Sequence, residues 1–540
     1  MRPKLFLFTF LSAALLTAAW PPWGFTPLLF IAFIPLFYVQ HIISGDNRLR
    51  ARHLFVYGFI GFATWNALTT WWIFYASGFG AVMAVLVNTV LMSSVLLIFH
   101  KIKRVLPERL GTFVFIPLWI TFEYIHHSWD ISWPWLTLGN AFGNSYKLIQ
   151  WYEFTGTFGG SFWVLIVNVL LFEIMKHRNT LLRPMKVRLI YISSAFIILS
   201  VPVICSLVRY HTIDLEANRK NSINVVVVQP NIDPYKKFDI DFRATTESML
   251  ALAESKIDST TDYVVFPETS LVESIWEKRW PFTWTGQRIK IFLKNYPKLK
   301  FVSGASTGYE YLPGEERSAT TRKFEHEDIY FESYNTALQT DCTGTVAFYH
   351  KSKLVPGVEK MPFPEVLGFL EDFAIDLGGT SGSLGMQKER TVFVSSSGTG
   401  KVAPVICYES IYGDYVGQYI RNGAEFIFIV TNDGWWQDTP GYKQHLVYGR
   451  LRAIETRKSI ARSANTGISC FVNKRGDIDQ PQPWNTAVAI KQTLTSNEGM
   501  TFYTRHGDLI AIAMLWLSIA AVLFSFFKFV KRRITRKKTL

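Results

Sequence analysis

A chain of 540 residues is long enough for two or three domains, and its 16% aromatic content and apolar residues massed in the first 208 positions and near 509–530 argue against a wholly water-soluble protein. The net charge of +14 lies beside those apolar segments, so it points to a membrane surface and argues against a nucleic-acid partner. Four cysteines with no CxxC pair and no Cys/His cluster argue against a zinc site or a disulfide scaffold, and no metal or cofactor is expected.

A hydrocarbon core about 30 Å thick takes roughly 20 apolar residues in a helix. Candidate spans run over 5–20, 23–43, 54–75, 79–99, 110–125, 158–175, 189–208 and 509–530. Arg2 and Lys4 precede the first as in a signal peptide, but its exit, WPPWGFTP, lacks a small-residue cleavage site, so the segment is expected to be retained. Spans five and six are the weakest, because Glu123 and Glu173 sit near their ends.

Basic residues mark alternate loops: Arg48, Arg50 and Arg52, then Lys101, Lys103, Arg104 and Arg109, then Lys176, Arg178, Arg183, Lys186 and Arg188, and finally the tail from Lys528. The loops between them have almost none. By the positive-inside rule both termini are expected in the cytoplasm. The sequence thus predicts a membrane domain of seven helices over 1–208, an outer domain over 222–495 and a C-terminal helix over 509–530. The aromatic loop at 126–157 reads as a belt at headgroup level, or as the lining of a lipid access path beneath the outer domain.

From about 222 the pattern turns to short β-rich runs: INVVVVQP, DYVVFPE, KLKFVSGAS, YNTALQT, GTVAFYHK, KVAPVICYE, EFIFIVTND and ISCFVNK. TDCTGT is a hairpin signal, and helices are predicted at 241–256, 284–295 and 441–457. Nearly continuous apolar strands predict sheets covered on both faces, an α/β layered domain.

Three residues stand where apolar strands end. Glu268 ends VVFPE, Lys351 follows VAFYH, and Cys407 ends KVAPVIC. Singly each is ordinary: a glutamate cap, an edge lysine, a core cysteine. As a set they make chemical sense. A thiol of pKa about 8.5 needs a base or a nearby cation to react, a carboxylate can carry its proton, and a lysine can brace an oxyanion. His350 and His445 offer no obvious Cys–His pair and read as structural.

The Glu…Lys…Cys order on successive strand ends resembles the nitrilase superfamily. With flanking membrane helices and the motifs KSKLVPGVEKMP, CYES, NDGWWQDTPGYKQH and RAIETRKSIARSANTGIS, the whole chain resembles the apolipoprotein N-acyltransferase family. That resemblance implies an αββα sandwich beside a multi-span helical domain. It also implies catalytic roles for Glu268, Lys351 and Cys407, with support from Glu359, Tyr408, Glu409, Asn335 and Phe238. Phe238 and Lys237 fit a place where the family often has Lys-Trp. The family's VPFGEYVP reads VPGVEKMP here, and Lys353 is a rival for Lys351.

The implied reaction moves a fatty acyl chain from a phospholipid, through a thioester on Cys407, to the amino group of a diacylglyceryl apolipoprotein. The implied setting is a bacterial inner membrane, with the catalytic domain periplasmic and the chain a monomer among membrane lipids. The alternatives are a membrane-tethered amidase or nitrilase acting on a small amide, and a transporter or scaffold whose outer domain only binds. Few ionisable residues in the spans argue against the last.

Overall fold

The computed structural model describes residues 2–176, 185–216, 221–237, 239–361, 363, 383–394, 400–497 and 499–538. It divides into a helical unit (Met1–Phe74, Gly78–His211, His506–Leu540) and a second unit made of Tyr75–Ser77 and Thr212–Arg505.

In the helical unit, Thr26–Gly45, Gly78–Lys103, Tyr152–Lys176, Leu189–Thr212 and Leu509–Arg532 are long and apolar enough to cross a membrane. Pro3–Ala19 and Phe115–Ile125 are shorter apolar helices. The two awkward carboxylates have partners, as buried charges require. Thr112 Oγ1 donates to Glu173 at 2.6 Å, and Glu123 accepts from the Leu138 amide at 2.8 Å and from Trp119 Nε1 at 3.1 Å.

Over residues 134–143 the structure corrects the reading of the aromatic loop as a belt, while Trp129, Trp133, Tyr146 and Trp151 stay partly exposed. Residues 134–143 fold into the unit as short 3-10 turns and are buried. The Gly139 amide donates to Ser161 Oγ at 3.1 Å, and Tyr152 donates to the Gly139 carbonyl at 2.9 Å. A Cβ at Gly139 would stand 1.9 Å from the Thr157 carbonyl oxygen, so only glycine fits that approach. Trp135 is a core side chain here, because irregular backbone among apolar helices must find its hydrogen bonds inside the protein.

The second unit is built on two sheets. The first contains β1 (Ile223–Gln229), β2 (Tyr263–Val265), β3 (Leu271–Trp276), β4 (Lys300–Tyr311), β5 (Arg322–Lys323), β6 (Tyr330–Thr340), β7 (Val346–His350) and, from the end of the chain, β13 (Val488–Leu494). Its order is β13-β1-β2-β4-β6-β5, with β3 on β4 and β7 on β6. The second holds β8 (Val402–Ile406), β9 (Phe426–Thr431), β10 (Ser459–Ala464), β11 (Cys470–Val472) and β12 (Ile478–Asp479), in the order β12-β11-β10-β9-β8. Parallel pairing of β1, β2 and β4, and of β8, β9 and β10, lines up the strand ends that the site uses.

The continuous apolar run of β1 follows from burial on both faces. Val226 and Val228 pack into a core with Met249 and Leu250 of the helix Phe242–Glu254 and Ile289 and Leu293 of the helix Trp284–Lys294. On the opposite face the sheets meet: Tyr263 lies edge-on to Phe428 at 5.2 Å, and Ser463 Oγ donates to the Val228 carbonyl at 2.7 Å. Helix Phe242–Glu254 starts where Asp241 accepts from the Arg243 amide, and its buried Thr246, Met249, Leu250 and Ala253 fall at helical spacing. Full burial of side chains such as Met249 and Leu250 contributes about 1.5–3 kcal/mol each. Helix Pro440–Thr456 covers the second sheet, with Gly449 against Ile429. The result is an αββα sandwich.

Candidate active site

Glu268, Cys407 and Asn432 each stand just past the end of a parallel strand, β2, β8 and β9, and Lys351 directly follows β7. The strands come from both sheets, β2 and β7 from the first and the neighbours β8 and β9 from the second, so the site gathers strand ends of the two layers. Glu268 needs a close floor. The Gly304 amide donates to the Pro267 carbonyl at 3.0 Å, and a Cβ at Gly304 would lie 2.5 Å from Glu268 Cα. Thr269 then takes a left-handed φ of 45°.

The four charged and polar groups form a closed arrangement around one ammonium. Lys351 Nζ donates to Glu268 Oε1 at 3.0 Å and to Glu359 Oε1 at 2.8 Å. Asn335 Nδ2 donates to the same two oxygens at 2.8 and 3.0 Å. The Lys351 amide donates to the Asn335 carbonyl at 2.8 Å, which ties the lysine to β6. Glu268 Oε2 accepts the Asn432 amide at 3.0 Å. Lys351 is 1% exposed and Glu268 6%, so the ion pairs operate in a dry environment where charge interactions are strong.

Those contacts set the protonation pattern. Burial by itself would push the Glu268 carboxyl up, but the Lys351 ammonium, the Asn335 amide and the Cys407 thiol outweigh it and hold the group below the usual glutamate range. Burial would pull Lys351 down, yet the Glu268 and Glu359 carboxylates raise it well above an ordinary lysine. Burial, reinforced by the Glu268 charge, pushes the Cys407 thiol up against the pull of Lys351. The resting state is therefore ammonium, carboxylate and neutral thiol: a nucleophile that loses its proton only as it attacks, to a base already in contact with it.

Cys407 itself has φ 47°, in the left-handed region that a residue with a side chain rarely adopts. Two clamps hold it there. Glu409 accepts from the Ile406 amide at 2.9 Å, the Ser352 amide at 2.7 Å, Tyr349 at 2.8 Å and Tyr415 at 2.5 Å, joining the turn after Cys407 to the loop after Lys351. His445 Nε2 lies 3.1 Å from the Cys407 carbonyl and 2.9 Å from Ser410 Oγ, while its Nδ1 meets Asp433 Oδ1 at 2.9 Å. Arg462 holds the other Asp433 oxygen at 2.6 Å. Burial alone would push Asp433 up, but Arg462 and His445 hold it down to about 2.

Glu268, Lys351, Cys407, Glu359 and Asn335 thus come together. Glu409 is one contact removed and acts as a brace. Tyr408 is buried and packs edge-on against Tyr412 at 5.4 Å. Phe238 lies outside the described residues. Its neighbour Lys237 is buried, donates to Thr269 Oγ1, and lies 5.7 Å over the Trp435 ring. The rival Lys353 points away, with its ammonium 4.7 Å over the Tyr412 ring. Despite its altered sequence, the loop carrying Glu359 returns to the site, because Glu359 Oε2 accepts the Val355 amide at 2.9 Å and closes a turn on itself. Cys342 and Cys470 are both free thiols.

Sequence reasoning passed over Asn432, Asp433 and Arg462 as individual residues and took His445 only as structural. Asn432 had the same signal as Glu268 and Cys407, a polar residue ending an apolar strand. Among the described residues no group of three or more His, Cys, Asp or Glu side chains is arranged to hold a metal.

Residues 224–496 match the model of the Carbon-nitrogen hydrolase family, which is half the chain, and the protein belongs to that family. Residues 12–170 match the Apolipoprotein N-acyltransferase N-terminal domain. Nearly end to end, the chain is similar to the apolipoprotein N-acyltransferase of Chlorobaculum tepidum, 28% identical over 96% of both chains. The one from Geobacter metallireducens is 26% identical over 94% of this chain and 92% of its own. The one from Rickettsia typhi is 28% identical over 87% and 88%.

Proposed function

We propose that this protein is an N-acyltransferase that moves a fatty acyl chain from a phospholipid, through a thioester on Cys407, to the α-amino group of the S-diacylglyceryl cysteine of an apolipoprotein. The observation that carries the reading is the Lys351 ammonium held between two carboxylates beside a buried thiol on a strained turn, in a chain that also carries apolar helices of membrane-spanning length.

In the first half, the Cys407 sulfur attacks the donor's ester carbonyl while Glu268 takes the thiol proton. Lys351 braces the oxyanion. The carbon–oxygen bond breaks, Glu268 passes its proton to the departing alkoxide, and lysophospholipid leaves. In the second half, the neutral α-amine attacks the thioester carbonyl and Glu268 takes one amine proton. The carbon–sulfur bond then breaks and the proton returns to Cys407. Glu359 holds Lys351 aimed at the oxyanion, and Asn335 orients both carboxylates. Tyr408 and Glu409 support the nucleophile's turn, and Phe238 takes part in substrate binding.

Both substrates are membrane-anchored, which fits a hydrolase-type sandwich tethered to helices in one chain. The proposed setting is a bacterial inner membrane crossed eight times, with the sandwich periplasmic and both termini cytoplasmic. The chain is proposed to act as a monomer. The test is purified protein with a labelled phospholipid and a diacylglyceryl peptide. N-acylated peptide is the expected product, and release of the label as free fatty acid would instead mark a hydrolase.

A further inference from the structure

Two buried amides flank the catalytic carboxylate with half of their hydrogen bonding unmet. Asn335 gives both Nδ2 protons to carboxylates, and its Oδ1 is buried without a hydrogen-bond partner. Turning the amide over would set that oxygen against two carboxylate oxygens, so its orientation is fixed by charge. Asn432 is the mirror case. Its Oδ1 accepts from the Gly434 amide at 3.4 Å and from Asn465 Nδ2 at 3.1 Å, and its Nδ2 is buried without a partner. Here too a flip would face donor to donor. Asn335 reaches Glu268 Oε1, and the Asn432 backbone amide reaches Glu268 Oε2. One orphan acceptor and one orphan donor therefore belong to the two residues that hold the base, where leaving them unmet is costly.

The fatty ester group itself supplies acceptors only, so at the reacting carbonyl the lipid donor satisfies at most the Asn432 side. An N-terminal aminoacyl unit supplies both: a second amine N–H beyond the one given to Glu268, and a carbonyl on the adjacent carbon. We infer that Asn335 Oδ1 and Asn432 Nδ2 form a subsite for the acceptor's terminal aminoacyl group, with Asn335 taking an amine N–H and Asn432 donating to that residue's carbonyl oxygen. The inference rests on the N-acyltransferase reading. It adds that the enzyme recognises the peptide carbonyl as well as the amine, so a peptide terminus should be a better acceptor than a simple amino lipid.

The experiment compares two acceptors of equal lipid content, an S-diacylglyceryl cysteinyl peptide and S-diacylglyceryl cysteamine, which keeps the amine and lacks the carbonyl. Wild-type protein is first loaded with labelled acyl from phospholipid, and each acceptor is then added. Discharge onto the peptide should have a kcat/KM at least about tenfold above discharge onto the cysteamine, since a buried donor left unpaired costs at least that much. In Asn432→Ala the ratio should collapse toward one, with the loss borne by the peptide. Equal use of both acceptors by the wild type, which requires no variant to fold, would overturn the inference and assign the two amides to trapped water. So would an Asn432→Ala defect of the same size on both acceptors. Failure of the wild type to form any thioester would instead strike the N-acyltransferase reading.

Discussion

Two buried ionic clusters act on Cys407, and they differ in one respect. In the Asp433 cluster every carboxylate oxygen is taken, by His445 and Thr431 on one side and Arg462 on the other. In the Glu268 cluster the charges are paired but Asn335 and Asn432 each keep an unmet polar atom. The first reaches the nucleophile through its backbone carbonyl, the second through its side chain. A closed cluster is a fastening, and its residues should register in stability. One that keeps unmet polar atoms offers them to a reactant, and its residues should register first in rate.

The largest effects should come from breaking the open cluster at its reacting atoms. Given labelled phospholipid without acceptor, the wild type should accumulate an adduct released by neutral hydroxylamine, and Cys407→Ala should form none. Lys351→Met should slow adduct formation by roughly a hundredfold or more, the usual cost of a lost oxyanion donor, and it should also lower Tm, since it leaves the buried Glu268 and Glu359 carboxylates without their cation. An adduct persisting in Cys407→Ala would remove the nucleophile from this account.

Next is Glu359→Gln, which keeps the shape and removes the charge that fixes Lys351. A loss of about tenfold or more in kcat with normal folding is expected. A rate within about threefold of wild type, roughly 0.65 kcal/mol in barrier, would reduce Glu359 to a loop anchor.

The closed cluster should respond in the other currency. Arg462→Met leaves the Asp433 charge buried with half its partners, a change of the kind that costs about 3–5 kcal/mol, and thermal unfolding should show it. A Tm unchanged by Arg462→Met, with catalysis abolished, would reverse the assignment of the two clusters.

pH should separate the clusters more gently. Glu268 acts as carboxylate and its pKa is lowered, so thioester formation from phospholipid should hold through the neutral range and fall only as pH drops below the usual glutamate values. Asp433 lies at about 2 in the folded state against 3.8 ordinarily, so its contribution to stability is complete above 3.8 and disappears as pH falls through about 2. The smallest effect is expected of Cys342→Ala, far from either cluster on the hairpin between β6 and β7, which should form the adduct normally.

Much of this was legible in the chain. The strands at INVVVVQP, DYVVFPE and EFIFIVTND read clearly because both their faces are covered, and TDCTGT turns as expected, with Thr343 and Gly344 donating to Asp341. β10 was not predicted, since SIARSA carries serines and an arginine. Those side chains are buried but satisfied, Ser463 on Val228 and Arg462 on Asp433, and single-chain patterning cannot see partners 29 and 235 positions away. β3 and β13 escaped for a similar reason, having charged or amide residues on partly exposed faces. In the site, the strand-end rule found Glu268, Lys351 and Cys407, whereas Glu359 and Asn335 came only through resemblance. The Asp433–His445–Arg462 fastening went unread because the motifs that carry its members, NDGWWQDTPGYKQH and RAIETRKSIARSANTGIS, do not say which of their side chains meet across the second sheet.

The left-handed backbone at Cys407 has an evolutionary and practical corollary. A side chain there costs on the order of 1–3 kcal/mol relative to a relaxed conformation, and glycine alone is free of that cost. Selection for a sturdier protein would drift this position toward glycine, so the cysteine persists only while its chemistry is needed. A lineage that lost its acyl substrate should shed the thiol early and keep the sandwich. In the laboratory the same asymmetry makes Cys407→Gly a natural choice for an inert, well-folded chain on which both lipid substrates can be captured intact.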